Sequence, residues 1–248
     1  LPTVAAIERL ASNLELENIP MQTWLKRGQG DLELRLTQAI RAGIALGETN
    51  GQIIKRIRGK NEKLTQVSSQ GTAIGVSMRN LNTLVRTAVQ EVSSQSVIKT
   101  YEQNSDVIKA IVSLAVTDSR TTLLCATYDL KAFDPITKEP IGHNLPYRPI
   151  PRHFGCRSRW SVQTKSFKDL GLDVEDYKPS VRASMDGEMP ADQNFEQFLE
   201  KKGKPFQDEY LGKGRAELWR SKKLTLPELL DQQGNPLSLQ ELKEKYSR

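Results

Sequence analysis

The sequence predicts an α+β protein, with helix-rich N- and C-terminal parts around a small central α+β domain that carries a Cys/His loop. Three observations predict it. Apolar residues recur at helical spacing through much of the first hundred residues. A short β-branched run from Val107 to Val116 interrupts that period. Both cysteines and both histidines of the chain fall between Cys125 and Cys156. The expected divisions are residues 1–72, a helical region; 73–165, the central domain; and 166–248, a region of short helices.

In chain order, Val4, Ile7, Leu10, Leu14 and Leu16 give a first amphipathic segment. After the Arg27-Gly28-Gln29-Gly30 break, Asp31 can cap a second helix carrying Leu32, Leu34, Leu36, Ile40 and Ile44. Gly47 is placed to end it, and Thr49 with Gln52 forms a capping box for a third helix through Ile53, Ile54 and Ile57. That helix bears Lys55, Arg56, Arg58 and Lys60, either a phosphate grip or a solvated face; the solvated face is the simpler reading. A polar stretch over 61–73 reads as a linker. A long helix is expected from Ser77 to Gln103, with Leu81, Leu84, Val85, Ala88, Val92, Val97 and Ile98 on its core face. The run from Val107 to Val116 then reads as a strand. From Gly142 to Lys168 the chain is loop-rich, with Pro146, Pro149 and Pro151 close together. Beyond it, Thr225/Glu228 and Ser238/Glu241 match capping boxes on either side of a Gly234-Asn235-Pro236 turn.

Hydrophobic residues make up 37% of the chain and aromatics only 6%, so a core must rest on Leu, Ile, Val and Ala. The net charge of +6 favours acidic partners, nucleic acid above all. No stretch approaches the ~18 consecutive apolar residues of a membrane span. No basic segment followed by an apolar one marks a secretory signal, and two cysteines are too few for a secreted disulfide framework. Synthesis in a reducing cytoplasm is the expectation.

The Cys/His clustering carries the chemical information. Thiolate and imidazole are the borderline-soft ligands of tetrahedral zinc, and His153-x-x-Cys156 has the short spacing such sites use. The candidate ligands are Cys125, His143, His153 and Cys156, with Asp118 as another fourth partner. The sulfurs of Cys125 and Cys156 should then lie within about 8 Å, since Zn–S bonds are near 2.3 Å. Three plainer readings stay open: two buried unpaired cysteines, a Cys125–Cys156 disulfide, and histidines that hydrogen-bond backbone. A Cys125–His143 or Cys125–His153 nucleophile pair has no supporting local signature. There is no Gly-rich phosphate loop and no H-E-x-x-H helix, and two histidines are too few for a His-Asn-His nuclease that also binds zinc. These absences argue against an enzyme.

The run Asp118-Ser119-Arg120-Thr121, then Cys125, then Pro149-x-Pro151-x-His153-x-x-Cys156-Arg157, resembles the signature of the Mu F-like phage head-morphogenesis family. The step Leu84-Val85-Arg86-Thr87 is similar to an apolar-apolar-Arg-Thr step in the preceding helix of that family. The resemblance covers about residues 73–165. The segments 182–190, 206–212 and 231–242 resemble the C-terminal part of phage minor head proteins. Two departures stand out: Ser158 occupies a position where a further Cys is common, and Asp129-Leu130 replaces a usual Asp-Gly.

The resemblance implies a low-copy structural protein of a tailed-phage virion. It would associate with the portal and other capsid proteins, acting in head morphogenesis and in genome packaging or ejection, without catalysis. Asp118, Arg120 and Thr121 would be structural, with an Asp118–Arg120 pair fixing the cysteine loop. Arg148, Arg152, Arg157 and Arg159 lie in a stretch without Asp or Glu and could contact packaged double-stranded DNA through phosphate. The competing class is an enzyme or toxin carrying such a module, a Cys/His-dependent hydrolase or nuclease.

Overall fold

The computed structural model describes residues 15–16, 19–20, 30–58, 73–175 and 181–246. The first predicted helix and the 61–73 linker lie almost wholly outside the described residues, as does the side chain of Asp31. Among the described residues the chain is α+β, with eight α-helices and small antiparallel sheets. Contacts divide it into two compact units: residues 1–105 with 148–156, and residues 106–147 with 157–248.

The first unit holds the short strands β1 (Glu15–Leu16) and β2 (Ile19–Pro20) and three helices: α1 (Gly30–Ala45), α2 (Asn50–Arg58) and α3 (Ala73–Gln103). Gly47 ends α1 at φ +68, a left-handed conformation that favours glycine. The Thr49/Gln52 capping box forms as expected: the Thr49 N–H donates to Gln52 Oε1 at 2.7 Å, and the Gln52 N–H donates to Thr49 Oγ1 at 3.3 Å. Ile40 and Ile53 from α1 and α2 are fully buried against Val85, Ala88 and Val92 of α3. The α1–α2 approach is close enough that a Cβ on Gly43 would collide with Ile53. Phe154, from the 148–156 segment, packs against this cluster. On the basic face of α2, Arg56 pairs with Glu48, and Lys55 is exposed.

The second unit is built on a four-stranded antiparallel sheet in the order β5-β4-β3-β6. Its strands are β3 (Ile108–Leu114), β4 (Ala132–Phe133), β5 (Pro140–Ile141) and β6 (Arg159–Thr164). The β-branched run predicted as a strand is β3, whose Ile111 and Ser113 face Val162 and Trp160 of β6. β6 lies inside the stretch expected to be loop. Its Trp160 and Val162 alternate with polar residues, a strand pattern hidden by the prolines before it. On the sheet, fully buried Phe133 is ringed by Tyr128, His143, Tyr147 and Trp160 at centroid distances of 6.3, 4.9, 5.4 and 6.1 Å.

After the sheet come the hairpin β7 (Val181–Ser184) and β8 (Gly187–Pro190), and then α5 (Phe195–Lys201), α6 (Lys204–Leu211), α7 (Lys213–Arg220) and α8 (Leu239–Tyr246). The hairpin was not anticipated among short helices, although Gly187, directly after the Met185-Asp186 turn, adopts φ +105, a conformation that favours glycine. The C-terminal helices enclose a second core of Phe195, Leu199, Leu211, Trp219, Leu226, Leu229 and Leu242. Ala126 belongs to that core, which places the short helix α4 (Leu123–Thr127) against it. Both C-terminal capping pairs form: the Thr225 N–H donates to Glu228 and the Ser238 N–H to Glu241, each at 2.7 Å. Thr225/Glu228 opens only a 3-10 turn, Pro227–Leu229, because Leu230 returns to extended backbone.

Candidate metal centre

Cys125 sits in the first turn of α4. Thr122 caps that helix, its extended backbone turning the chain and its Oγ1 accepting the Cys125 N–H at 3.3 Å. With the Ala126 flank in the C-terminal core, the Cys125 side chain is buried at 3% exposure.

A knot of polar contacts precedes the helix. Asp118 Oδ1 accepts the Arg120 N–H at 3.0 Å and the Thr121 hydroxyl at 3.1 Å, and the Thr121 hydroxyl also reaches Val116 O. The guanidinium of Arg157 closes on the same carboxylate, Nη1 to Oδ2 and Nη2 to Oδ1, each at 2.6 Å. The bidentate partner of Asp118 is therefore Arg157 and not Arg120, whose side chain is exposed. The reason is local: the Asp118–Thr121 turn spends the Arg120 backbone on the carboxylate and turns its side chain outward. Arg157 holds the Asp118 carboxyl below the usual carboxylate range.

Cys156 is bonded directly to Arg157. It ends a four-residue turn in which its N–H donates to His153 O at 3.1 Å, with Gly155 third in the turn at φ +70. The turn is tied to α3 by the Gly155 N–H, which donates to Thr87 Oγ1 at 3.0 Å. His153 Nδ1 donates to Phe154 O at 2.9 Å. A carbonyl can only accept, so this bond fixes the proton on Nδ1 and leaves the lone pair on Nε2.

Cys125, His153 and Cys156 form a group that could hold a metal ion, with one ligand atom from each lying within 4.8 Å of the others. Neither cysteine is in a disulfide. Tetrahedral zinc would place its ligand atoms roughly 3.5–3.8 Å apart, from bonds of about 2.3 Å to sulfur and 2.0 Å to nitrogen. A contraction of about 1 Å would therefore seat the ion, and the soft donor set suits it.

His143 lies outside the group. Its Nε2 donates to Ala132 O at 2.9 Å and its Nδ1 accepts the Leu145 N–H at 3.2 Å, so both ring nitrogens are engaged. Burial lowers its pKa, in keeping with a neutral ring packed edge-on to Phe133. Asp118 is likewise committed, to Arg157 and its own turn. Ser158 is buried.

Of the arginines expected to face DNA, Arg159 is exposed, Arg157 is exposed but paired with Asp118, and Arg148 and Arg152 are half-buried. Nε and Nη1 of Arg152 are fully buried. Lys165, in the same stretch, donates to Asp106 O at 2.6 Å.

Two groups near the site were not anticipated. Asp129 is fully buried and accepts from both Nη atoms of Arg182 at 3.1 Å and from the Ala115 N–H at 2.8 Å. Burial raises its pKa against the pull of Arg182. Tyr210 of α6 places a buried Oη in this unit, and burial, with Cys125 and Asp118 nearby, pushes its phenol well above the usual tyrosine range.

No protein-family model matches the chain, and neither a curated protein nor a solved structure matches it.

Proposed function

We propose that this chain is a structural minor head protein of a tailed DNA phage, of the Mu F-like kind, with a zinc ion on Cys125, His153 and Cys156. One observation carries the reading: residues scattered through the motif are physically joined. Thr87 holds Gly155, Asp118 holds Arg157, and Cys125 meets His153 and Cys156. A motif matched by accident has no reason to close on itself in this way.

The zinc ion would crosslink the proline-rich segment to α4. Three protein ligands leave a fourth position to water or to a neighbouring group. The protein then works by binding, with the portal and other capsid proteins as partners. Contact with packaged DNA would be non-specific and centred on Arg159, with Arg148, Arg152 and Arg157 more restricted by burial or pairing.

The test is the position and stoichiometry of the protein in intact virions that carry it. A few copies at the portal vertex are expected. Its absence from purified virions, or heads that assemble and infect normally without it, would overturn the reading. Metal analysis of the reduced protein should find one zinc per chain. A salt titration of DNA binding should lose about one unit of slope per phosphate contact when Arg159 is replaced.

A further inference from the structure

His143 follows β5, and its half-buried ring packs edge-on to the fully buried Phe133 at 4.9 Å between centroids. Both ring nitrogens are spent on nearby backbone. Nε2 meets Ala132 O at 2.9 Å, and Nδ1 meets the Leu145 N–H at 3.2 Å. A carbonyl only accepts and an amide N–H only donates. The arrangement therefore admits one form of the ring, neutral with its proton on Nε2. Two residues beyond Leu145, Tyr147 covers Phe133 edge-on and stacks on Trp160, each at 5.4 Å. The Leu145 bond thus anchors the segment that covers the aromatic cluster.

A second proton can go only to Nδ1, where it turns the acceptor of the Leu145 N–H into a donor. Two N–H groups would then face each other at hydrogen-bond distance, so the ring or residue 145 must move. Around the ring, Lys131 before β4 opposes a second positive charge, as does burial, while the Ala132 bond favours it. Asp134 is spent on the Ile136 and Thr137 N–H groups at 2.8 Å, and Glu139 is exposed. From β6 come uncharged Trp160 and the exposed Arg159. Tyr128 is neutral at pH 7 and donates its hydroxyl to Pro146 O. Asp129 is paired with Arg182.

We propose that His143 is a proton-operated catch: neutral, it holds residues 143–147 over Phe133, and a second proton on Nδ1 releases them. The proposal does not rest on the metal reading, since His143 lies outside the group formed by Cys125, His153 and Cys156. Its sign follows from the direction in which the ring is shifted. The folded pKa is depressed, so the hold is complete above the unfolded value of about 6.5 and is lost as pH falls through the folded one. Asp134, whose own pKa is lowered by the backbone N–H groups it accepts, stays ionised through that range.

The test is amide hydrogen exchange by NMR on the full reduced chain between about pH 5 and 8, for wild type, His143→Gln and His143→Phe. In wild type, protection of the Leu145 amide should fall by up to about tenfold per pH unit below about pH 6.5, the slope of one proton. The Leu242 amide of α8, bonded to Ser238 O, should keep its protection and serves as the reference. Glutamine can donate to Ala132 O and accept the Leu145 N–H without titrating, so His143→Gln should stay protected at every pH. His143→Phe keeps an aromatic ring and loses both bonds, so Leu145 should be unprotected throughout. Wild-type protection at Leu145 that is flat with pH would overturn the proposal, whatever the variants do. So would the same fall in His143→Gln, or a parallel fall at Leu242, which would mark global unfolding.

Discussion

Thr87 Oγ1 accepts the backbone N–H of Gly155 at 3.0 Å, joining two parts of the chain 68 residues apart. The same hydroxyl donates to Thr83 O at 2.7 Å, so it is spent as donor on its own helix and as acceptor on the Cys156 turn. Thr87→Val keeps the shape and removes both bonds. The Gly155 N–H is then left without its acceptor, and stability should fall by about 1–3 kcal/mol in a urea denaturation. A midpoint equal to wild type would show that the turn holds without α3.

The Asp118–Arg157 pair is well aligned but partly open to water, with side-chain exposures of 21% and 35%. Screening limits it to about 1 kcal/mol, the cost expected for Arg157→Ala. Arg120→Ala should leave stability within about 0.5 kcal/mol of wild type, as for other exposed side chains. The pH dependence has a definite sign. Because the folded pKa of Asp118 is depressed, its contribution is complete above the unfolded value of about 3.9 and is lost as pH falls through the folded pKa. Acid titration of Arg157→Ala should therefore lack part of the wild-type loss below about pH 4.

Asp129 and Arg182 should behave differently, because the carboxylate is fully buried. Arg182 also donates to Ala115 O at 2.8 Å and Thr117 Oγ1 at 3.1 Å, so it ties β7 to the end of β3. Arg182→Ala should cost about 3–5 kcal/mol, several times the effect at Arg157, since it strands a buried carboxylate. Equal midpoints for the two variants in the same denaturation series would contradict this ranking.

Metal uptake should depend steeply on pH. An ion at the proposed site would displace protons from both Cys125 and Cys156, and thiols ordinarily titrate near 8.5, so apparent affinity should rise about a hundredfold per pH unit between about pH 6.5 and 8.5. Cys156→Ser and His153→Ala should each remove binding at neutral pH, while His143→Gln should retain it. Loss of binding in His143→Gln with the fold intact would return His143 to the ligand set.

Helices and caps were the most legible part of the sequence, because their signals are local. The Thr49/Gln52 and Ser238/Glu241 boxes and the end of α1 at Gly47 lie where spacing alone puts them. The grouping of Cys125, His153 and Cys156 was also legible, since scarce residue types clustered in one segment. What failed was pairing at a distance. Asp118 has two arginines at plausible separations, and only the turn geometry decides for Arg157. His143 looked like a ligand because residue type carries no record of which backbone groups its ring will meet. Leu130 shows another limit: it adopts φ +58, a conformation suited to glycine, and nothing in its residue type announces it. The Leu130 N–H bond to Ser113 O at 2.8 Å helps hold that conformation against the side chain's preference.

The hydrogen bond from Tyr128 Oη to Pro146 O fastens the base of the excursion that carries β4 and β5. The chain leaves α4, forms that excursion and comes back to its starting point before it reaches His153. Its tip, around Ile136 and Lys138, is exposed or half-buried and remote in sequence from both ends. Lengthening the tip would add only the entropy of a longer loop, about 0.6 kcal/mol per doubling. The number of residues separating Cys125 from His153 is therefore a free variable of the architecture, and a search for kindred chains should fix the two ends and let the middle run to any length.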